Sequence, residues 1–111
     1  MSKIRAFVVR LQDEPAVEEI ENDLATFQKL VGGYVEIINL GHGLSLWCNE
    51  SGALEKLPLN RGVVCYSEGV HTGAHFIRGT FFVTRYDAHG DAASISEGDA
   101  RALRLRLWDC R

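Results

Sequence analysis

The stretch Phe27-Gln-Lys-Leu-Val-Gly-Gly-Tyr-Val-Glu-Ile-Ile38 decides the fold, because the spacing of its hydrophobic residues changes at the two glycines. Before them, the apolar residues from Leu24 to Val31 recur at helical spacing. After them, residues 34–38 are aromatic and β-branched, as in a strand. The glycine pair can adopt the positive φ that ends a helix. The sequence therefore predicts a helix that packs on a sheet, in an α+β domain.

Further strands are predicted where apolar and β-branched residues lie between turn-forming residues. Residues 53–61 are predicted to be a structured loop with one helical turn, since Pro58 prevents a longer helix. Residues 67–75, rich in glycine and histidine, are expected to be an exposed loop. The strands are expected at residues 4–11, 16–21 (an edge strand), 34–40, 44–48, 63–66 and 76–86, the last with a bulge or a close backbone approach at Gly79.

The ends of two helices are also marked in the sequence. Asn22 or Asp23 can N-cap the first helix, and Ser96 with Asp99 resembles a capping box for a second. Residues 100–108 fit both a helix and an alternating strand, and we favour a helix because Ala, Leu and Arg are strong helix formers. Residues 1–111 are thus predicted to be one domain, a mixed or antiparallel sheet packed against one helix from the N-terminal half and a C-terminal helix.

The composition bounds the class of protein. With 46% hydrophobic and 24% charged residues the chain resembles ordinary soluble proteins, and its net charge of −3 argues against a surface for duplex DNA. Three cysteines without a Cys-x-x-Cys pair favour a reducing compartment. No secretory signal is found, and no apolar run approaches the ~20 residues that a membrane helix needs. We therefore expect a cytoplasmic protein without a membrane span and without a cofactor.

Histidine and cysteine residues offer one candidate chemistry. His71 and His75 have the spacing that places two imidazoles on one helical face, and Cys65 is near in sequence, so the three are weak candidates for a metal site. A small metal-dependent hydrolase is therefore an alternative function. Solvated histidines are the simpler interpretation, and Cys48 and Cys65 lie in apolar runs where a thiol is usually a small buried hydrophobe.

Two polar pairs are the stronger candidates for binding. Asn49-Glu50 and Asn60-Arg61 each close an apolar segment. An arginine held on a rigid loop can present its planar guanidinium to a carboxylate or phosphate, so Arg61 is predicted to contact an anion. The alternative is that the asparagine caps the turn and Arg61 pairs with a local acid such as Glu55.

The C-terminal segment is rich in arginine, and it suggests a third function. Such a stripe could contact nucleic acid or an acidic partner, although a solvated helix face is more common. The aromatic residues of the sheet are expected to serve core and cross-strand packing. The arginines are Arg101, Arg104, Arg106 and Arg111, and the aromatic residues are Trp47, Phe76, Phe81, Phe82 and Tyr86.

Several motifs in this order resemble those of a family of small domains of unknown function, found in bacteriophages, mobile elements and Gram-positive bacteria. The resemblance implies no known activity. It implies that Tyr34 and Thr80 also occupy signature positions, and we add both to the candidate binding residues. The motifs are the stretch 27–38 quoted above, Cys48-Asn-Glu-Ser-Gly52, Leu57-Pro-Leu-Asn-Arg61 and Ile77-Arg-Gly-Thr-Phe-Phe-Val83.

The expected function is therefore that of a non-enzymatic accessory protein in a bacterium or an infected bacterial host. It would bind a host protein or a small anionic ligand, such as a nucleotide, and modulate or counter a host process. Nucleic acid is disfavoured as a partner by the net charge. A homo-oligomer could form through the edge strand at 16–21 or through the leucines of the C-terminal segment.

Overall fold

The computed structural model describes residues 2–67 and 70–111, which form strands and two helices. Neither of these helices has the length and apolar character needed to cross a membrane. In chain order the elements are β1 (Lys3–Val9), β2 (Ala16–Glu21), α1 (Leu24–Val31), β3 (Val35–Gly41), β4 (Leu44–Asn49), β5 (Leu59–Ser67), β6 (Val70–Arg78), β7 (Phe81–Tyr86), β8 (Ala92–Ala93), α2 (Glu97–Leu105) and β9 (Leu107–Asp109).

The strands form two antiparallel sheets. The large sheet has the order β2-β1-β7-β4-β3, with β8 paired to the end of β7. The small sheet has the order β6-β5-β9. The described strand pairs are all antiparallel. The predicted α+β class, with one helix from the N-terminal half and one at the C-terminal end, is confirmed.

Helix α1 packs on one face of the large sheet, as the opening stretch predicts. Asp23 is the N-cap and accepts a hydrogen bond from the backbone N–H of Thr26 at 2.8 Å, and Gly32 ends the helix with φ of 80°. Phe27 is buried with its ring centroid 4.8 Å from that of Trp47 and 5.1 Å from that of Phe82. The helix is therefore held by an aromatic cluster as well as by its caps.

The opposite face of the large sheet packs against the small sheet and α2. Strand β1 serves both cores: Ala6 and Val8 face the core under α1, whereas Phe7 and Val9 face the core between the sheets. Burial on both faces explains why its sequence is a continuous apolar run rather than an alternating one. Leu103 anchors α2 in the core between the sheets.

Helix α2 begins at the predicted capping box. The Ser96 hydroxyl accepts from the Asp99 backbone N–H at 3.0 Å, and Asp99 Oδ2 accepts from the Ser96 N–H at 2.9 Å. Arg85 of β7 donates to both oxygens of the same carboxylate at 2.7 Å. These contacts, with Arg85 the largest cause, lower the pKa of Asp99. One carboxylate thus joins α2 to the large sheet.

Replacing Asp99 by asparagine should lower the free energy of unfolding by about 1–2 kcal/mol at pH 7, because the cap and the bidentate pair are both weakened. The pKa of Asp99 is lower in the folded state, so its contribution is present above the unfolded pKa and is lost as the pH falls through the folded value. Urea unfolding of both proteins at several pH values should show a difference that shrinks in acid. Glu97→Gln is the control, since Glu97 forms a surface ion pair with Arg5 that is worth only about 0–1 kcal/mol. A difference that does not shrink between neutral pH and the acid range would contradict this account.

Two predictions around the glycines are wrong. The predicted loop at 67–75 is largely strand, because β6 pairs with β5 from Val70 onward; its residues 68 and 69 lie outside the described part of the chain. The predicted strand at 76–86 is two strands, one in each sheet. Gly79 turns the chain between them with φ of 77°, so it is a turn rather than a bulge. A Cβ there would lie 2.9 Å from Leu57 Cδ1, and the Gly79 N–H donates to the Pro58 carbonyl at 2.9 Å, so the expected close approach is confirmed.

Two further boundaries differ from the prediction. The loop expected at 53–61 ends before β5, which already begins at Leu59. The segment 100–108, which fits both a helix and a strand, is helix first and strand afterwards. Helix α2 ends at Leu105, and β9 then pairs with β5. Arg106 stands at this junction and is buried. Tertiary pairing with β5 therefore ends the helix where local propensity would continue it.

Candidate functional site

Asn60 is fully buried and orients its neighbour Arg61. A register shift between Leu59 and Arg61 in the pairing of β5 with β6 marks an irregularity at Asn60. Its amide nitrogen donates to the carbonyls of Val9 (3.1 Å) and Gly79 (3.0 Å), so its oxygen is left to accept from Arg61 Nη1 at 2.6 Å. Because both ends of the amide are in use, the position of this guanidinium contact is fixed.

Arg61 is a buried cation, with only 3% of its surface exposed. Besides Asn60 it donates from Nη2 to the Asp13 carbonyl at 3.3 Å. Within the described residues no carboxylate oxygen lies within 4.0 Å of its guanidinium. Buried charges in proteins are usually paired with an opposite charge. Arg61 departs from this rule, because its contacts are neutral acceptors and the charged groups are more distant.

Arg61 opens onto a cleft of about 260 Å³ between the C-terminal end of the chain and the loop after β1. We call it the arginine cleft. Three arginines and two carboxylates line it, which leaves a formal net charge of +1. The lining residues are Glu14, Pro15, Arg61, Arg104, Leu107, Asp109 and Arg111.

The other two arginines of the cleft are held in different ways. Arg111 donates from Nε and Nη2 to the two oxygens of Asp109 at 3.0 and 2.9 Å, and from Nη1 to the Leu11 carbonyl at 2.8 Å. Arg104 lies over the Phe7 ring, 5.5 Å from its centroid. Arg111 is the main cause that holds the pKa of Asp109 well below its usual range, with a smaller contribution from Arg61. Asp109 is therefore ionised and pairs with Arg111. Arg104 is exposed, and its one side-chain hydrogen bond among the described residues is from Nη2 to the Pro15 carbonyl at 3.4 Å, so it has no charged partner.

Asn49 holds the loop after β4 against the end of α1. Its amide nitrogen donates to the Val31 carbonyl (3.2 Å) and to Glu55 Oε2 (3.3 Å), and its oxygen accepts from the Ser51 N–H at 2.8 Å. Glu55 thus pairs with Asn49 and not with Arg61, so the alternative proposed for Arg61 is wrong. The neighbouring Glu50 is exposed.

The six predicted binding residues are not brought into one site. Only Arg61 lines the arginine cleft, with Asn60 behind it. Glu50 and Asn49 line a second cleft of about 300 Å³, Asn49 also shares a depression with Tyr34, and Thr80 lines another. A binding role for these four residues stays a prediction.

The candidate metal ligands lie on β5 and β6. Cys65 is buried, and burial raises the pKa of its thiol. His75 is exposed on the second cleft, and the ring of His71 lies beside Tyr66 with 6.1 Å between centroids. Over residues 2–67 and 70–111, no group of three or more His, Cys, Asp or Glu side chains could hold a metal ion.

The sequence suggested that Arg106 belongs to a solvated basic stripe. The structure instead buries it. Its Nε donates to the Val64 carbonyl at 2.9 Å and its Nη2 to the Leu40 carbonyl at 2.7 Å. Its guanidinium lies 4.9 Å from the centroid of the Tyr66 ring, and burial lowers its pKa. Arg106 is therefore a structural link between β3, β5 and the end of α2.

A family model described as a domain of unknown function, DUF3846, matches residues 4–107 of the chain. The chain belongs to the DUF3846 family. The resemblance to a family of small domains of unknown function is thereby confirmed. No curated protein and no solved structure matches this DUF3846 domain.

The arrangement of the arginine cleft could be predicted only in part. Arg61 was a candidate anion contact, and Arg104 and Arg111 belonged to the predicted basic stripe. The roles of Glu14 and Asp109 were missed. These residues meet because β9 pairs with β5, which places Asp109 directly opposite Arg61. The alternation of Leu103, Leu105 and Leu107 was the one sign of a strand near the C-terminal end. This pattern begins at Leu103, whereas the strand β9 begins only at Leu107.

Proposed function

We propose that this DUF3846 domain is a binding protein that holds a small anionic ligand in the arginine cleft and does not transform it. The observation that carries the proposal is the state of Arg61, a cation that is 3% exposed, oriented by Asn60 and without a carboxylate in contact among the described residues. An anion in the cleft would give Arg61 a charged partner in direct contact.

The physical basis is preorganisation. The cost of removing the Arg61 guanidinium from water is met when the chain folds, so it does not count against binding. Charge-assisted hydrogen bonds from arginine to carboxylate or phosphate are about twice as strong as neutral ones. Arg104 can add a second cation, because it is exposed at the rim of the cleft. The volume of about 260 Å³ suits a small ligand.

Binding is favoured over covalent catalysis by the state of two thiols. Cys48 and Cys65 are buried. Burial, with a contribution from Glu36, raises the pKa of Cys48 to about 11. Burial likewise raises the pKa of Cys65. Both thiols are then protonated at neutral pH, and a protonated thiol is a poor nucleophile.

The biological setting of the proposal comes from the sequence motifs. Their resemblance to domains carried by bacteriophages and mobile elements supports an accessory role in the cytoplasm of a bacterial host. There the bound anion, or an acidic group of a host protein in its place, would be sequestered or sensed, and a host process would be modulated.

Isothermal titration with pyrophosphate and with citrate tests the proposal. Arg104→Gln removes a cation from the cleft, whereas Arg101→Gln removes an exposed arginine of the same helix that does not line it. Arg104→Gln should raise the Kd about tenfold, because one charged hydrogen-bond donor is lost. The Kd of Arg101→Gln should equal that of the unchanged protein. Absence of heat with both anions, or equal effects of the two substitutions, would refute the proposal.

A further inference from the structure

Two large aromatic side chains are exposed side by side on the outer face of the small sheet. Phe76 of β6 is 58% exposed, so its predicted place in the core is wrong, and Trp108 of β9 is 51% exposed. Their rings are stacked on each other, with 6.0 Å between centroids and 28° between planes. Trp and Phe side chains exposed in contact with each other are enriched at binding surfaces.

A glycine between the two rings allows them to meet. Trp108, Gly62 and Phe76 stand in one row across β9, β5 and β6. A Cβ on Gly62 would lie 3.0 Å from the Phe76 ring and 3.1 Å from the Trp108 ring. Without that Cβ the rings close over the backbone of β5. Next to them, Val64 and Ala74 form the following pair of the same face. We call Phe76 and Trp108 the aromatic pair.

The aromatic pair and the arginine cleft share strand β9. Leu107 and Asp109 line the cleft, and Trp108 between them points to the opposite face because strand side chains alternate. Strand β9 is the edge of its sheet, paired only with β5 in the described topology, and it has three residues. Only this short edge strand separates the two sites, so a ligand long enough to extend around it would contact both.

We infer that the anion of the arginine cleft is part of a nucleotide, whose phosphates contact Arg61 and Arg104 and whose base stacks on the aromatic pair. This inference rests on the proposed function, because it requires an anion in the cleft. A base supplies the flat π-surface that stacks on Trp and Phe, and phosphates supply the charge that guanidinium groups bind. Free nucleotide fits better than a nucleic acid strand, since the chain has a net charge of −3 and the cleft one of only +1.

Tryptophan fluorescence gives a direct test, because the chain has two tryptophans in different settings. Trp108 is on the aromatic pair, whereas Trp47 packs under α1. Titration with ATP should quench part of the emission, and Trp108→Phe should abolish the quenching. ATP should bind about tenfold more tightly than tripolyphosphate, the gain expected from stacking one base. Trp108→Ala should remove this advantage and leave the affinity for tripolyphosphate unchanged, and Trp108→Phe should retain most of it.

The outcomes separate the two claims. If tripolyphosphate binds as tightly as ATP, or if Trp108→Ala weakens both equally, the nucleotide inference is wrong and the anion site remains. If neither compound binds, the proposed function itself fails. A ten-nucleotide single strand that binds more tightly than ATP would replace free nucleotide as the ligand. Gly62→Ala, which separates the rings, should reduce ATP binding in the same direction as Trp108→Ala, and retention of full ATP affinity in this variant would contradict the stacking.

Discussion

Replacing Arg61 by methionine should raise the Kd for pyrophosphate about 100-fold while the domain stays folded. The substitution removes a desolvated cation, and a loss of about 3 kcal/mol of charge-assisted hydrogen bonding corresponds to this factor. The stability should change by less than about 2 kcal/mol. Replacing a buried charge by an apolar residue of similar size is often neutral or stabilising, whereas the Asn60 oxygen left without its donor costs about 1–3 kcal/mol.

Arg106→Met is the matched control, since Arg106 is the other buried arginine without a carboxylate in contact among the described residues. It donates to the carbonyls of Val64 and Leu40, which do not line the cleft, so its replacement should change the stability by an amount comparable to that of Arg61→Met and leave pyrophosphate binding unchanged. Calorimetric titration and urea unfolding measure both effects. An unchanged Kd in Arg61→Met, or equal losses of affinity in both variants, would contradict a special role for Arg61.

Replacing Asn60 by leucine should lower the free energy of unfolding by about 4 kcal/mol. The change leaves the Val9 and Gly79 carbonyls without their donor and Arg61 without its acceptor, in a site that excludes water. Each buried group without a partner costs about 1–3 kcal/mol. Urea unfolding followed by circular dichroism measures the change.

Asn39→Ala is the control for this prediction, because Asn39 is exposed and its side chain accepts one local bond, from the Gly41 N–H at 2.9 Å. It should cost less than about 1 kcal/mol. Comparable losses in the two asparagine variants would mean that the network around Asn60 does not stabilise the domain as described.

Local signals in the sequence predicted the elements whose causes are local. The period change at residues 24–38 placed α1 and β3, and Asp23 and Ser96 mark the two helix starts where the structure has them. Apolar and β-branched runs between turn residues predicted strands at 34–40 and 44–48, which are β3 and β4. In these places propensity, caps and turn residues agree, so no distant contact is needed to choose the conformation.

The features that could not be predicted from the sequence depend on pairing between strands that are far apart in the chain. The glycines of 67–75 indicated a loop, but pairing with β5 makes a strand of β6. Arg106 looked like part of a solvated helix face, but the end of α2 turns it toward carbonyls of β3 and β5. The arginine cleft depends in the same way on the pairing of β9 with β5, which joins residues far apart in the chain. Arg61 could therefore be predicted as a candidate, whereas its neighbours in the cleft could not.

The most direct test of the anion site is the NMR signal of each arginine Nε–Hε group during a pyrophosphate titration. We predict that the signals of Arg61, Arg104 and Arg111 move together with one saturable Kd, while that of Arg101 stays in place. An unmoved Arg61 signal, or equal shifts of Arg101 and Arg104, would contradict anion binding in the arginine cleft.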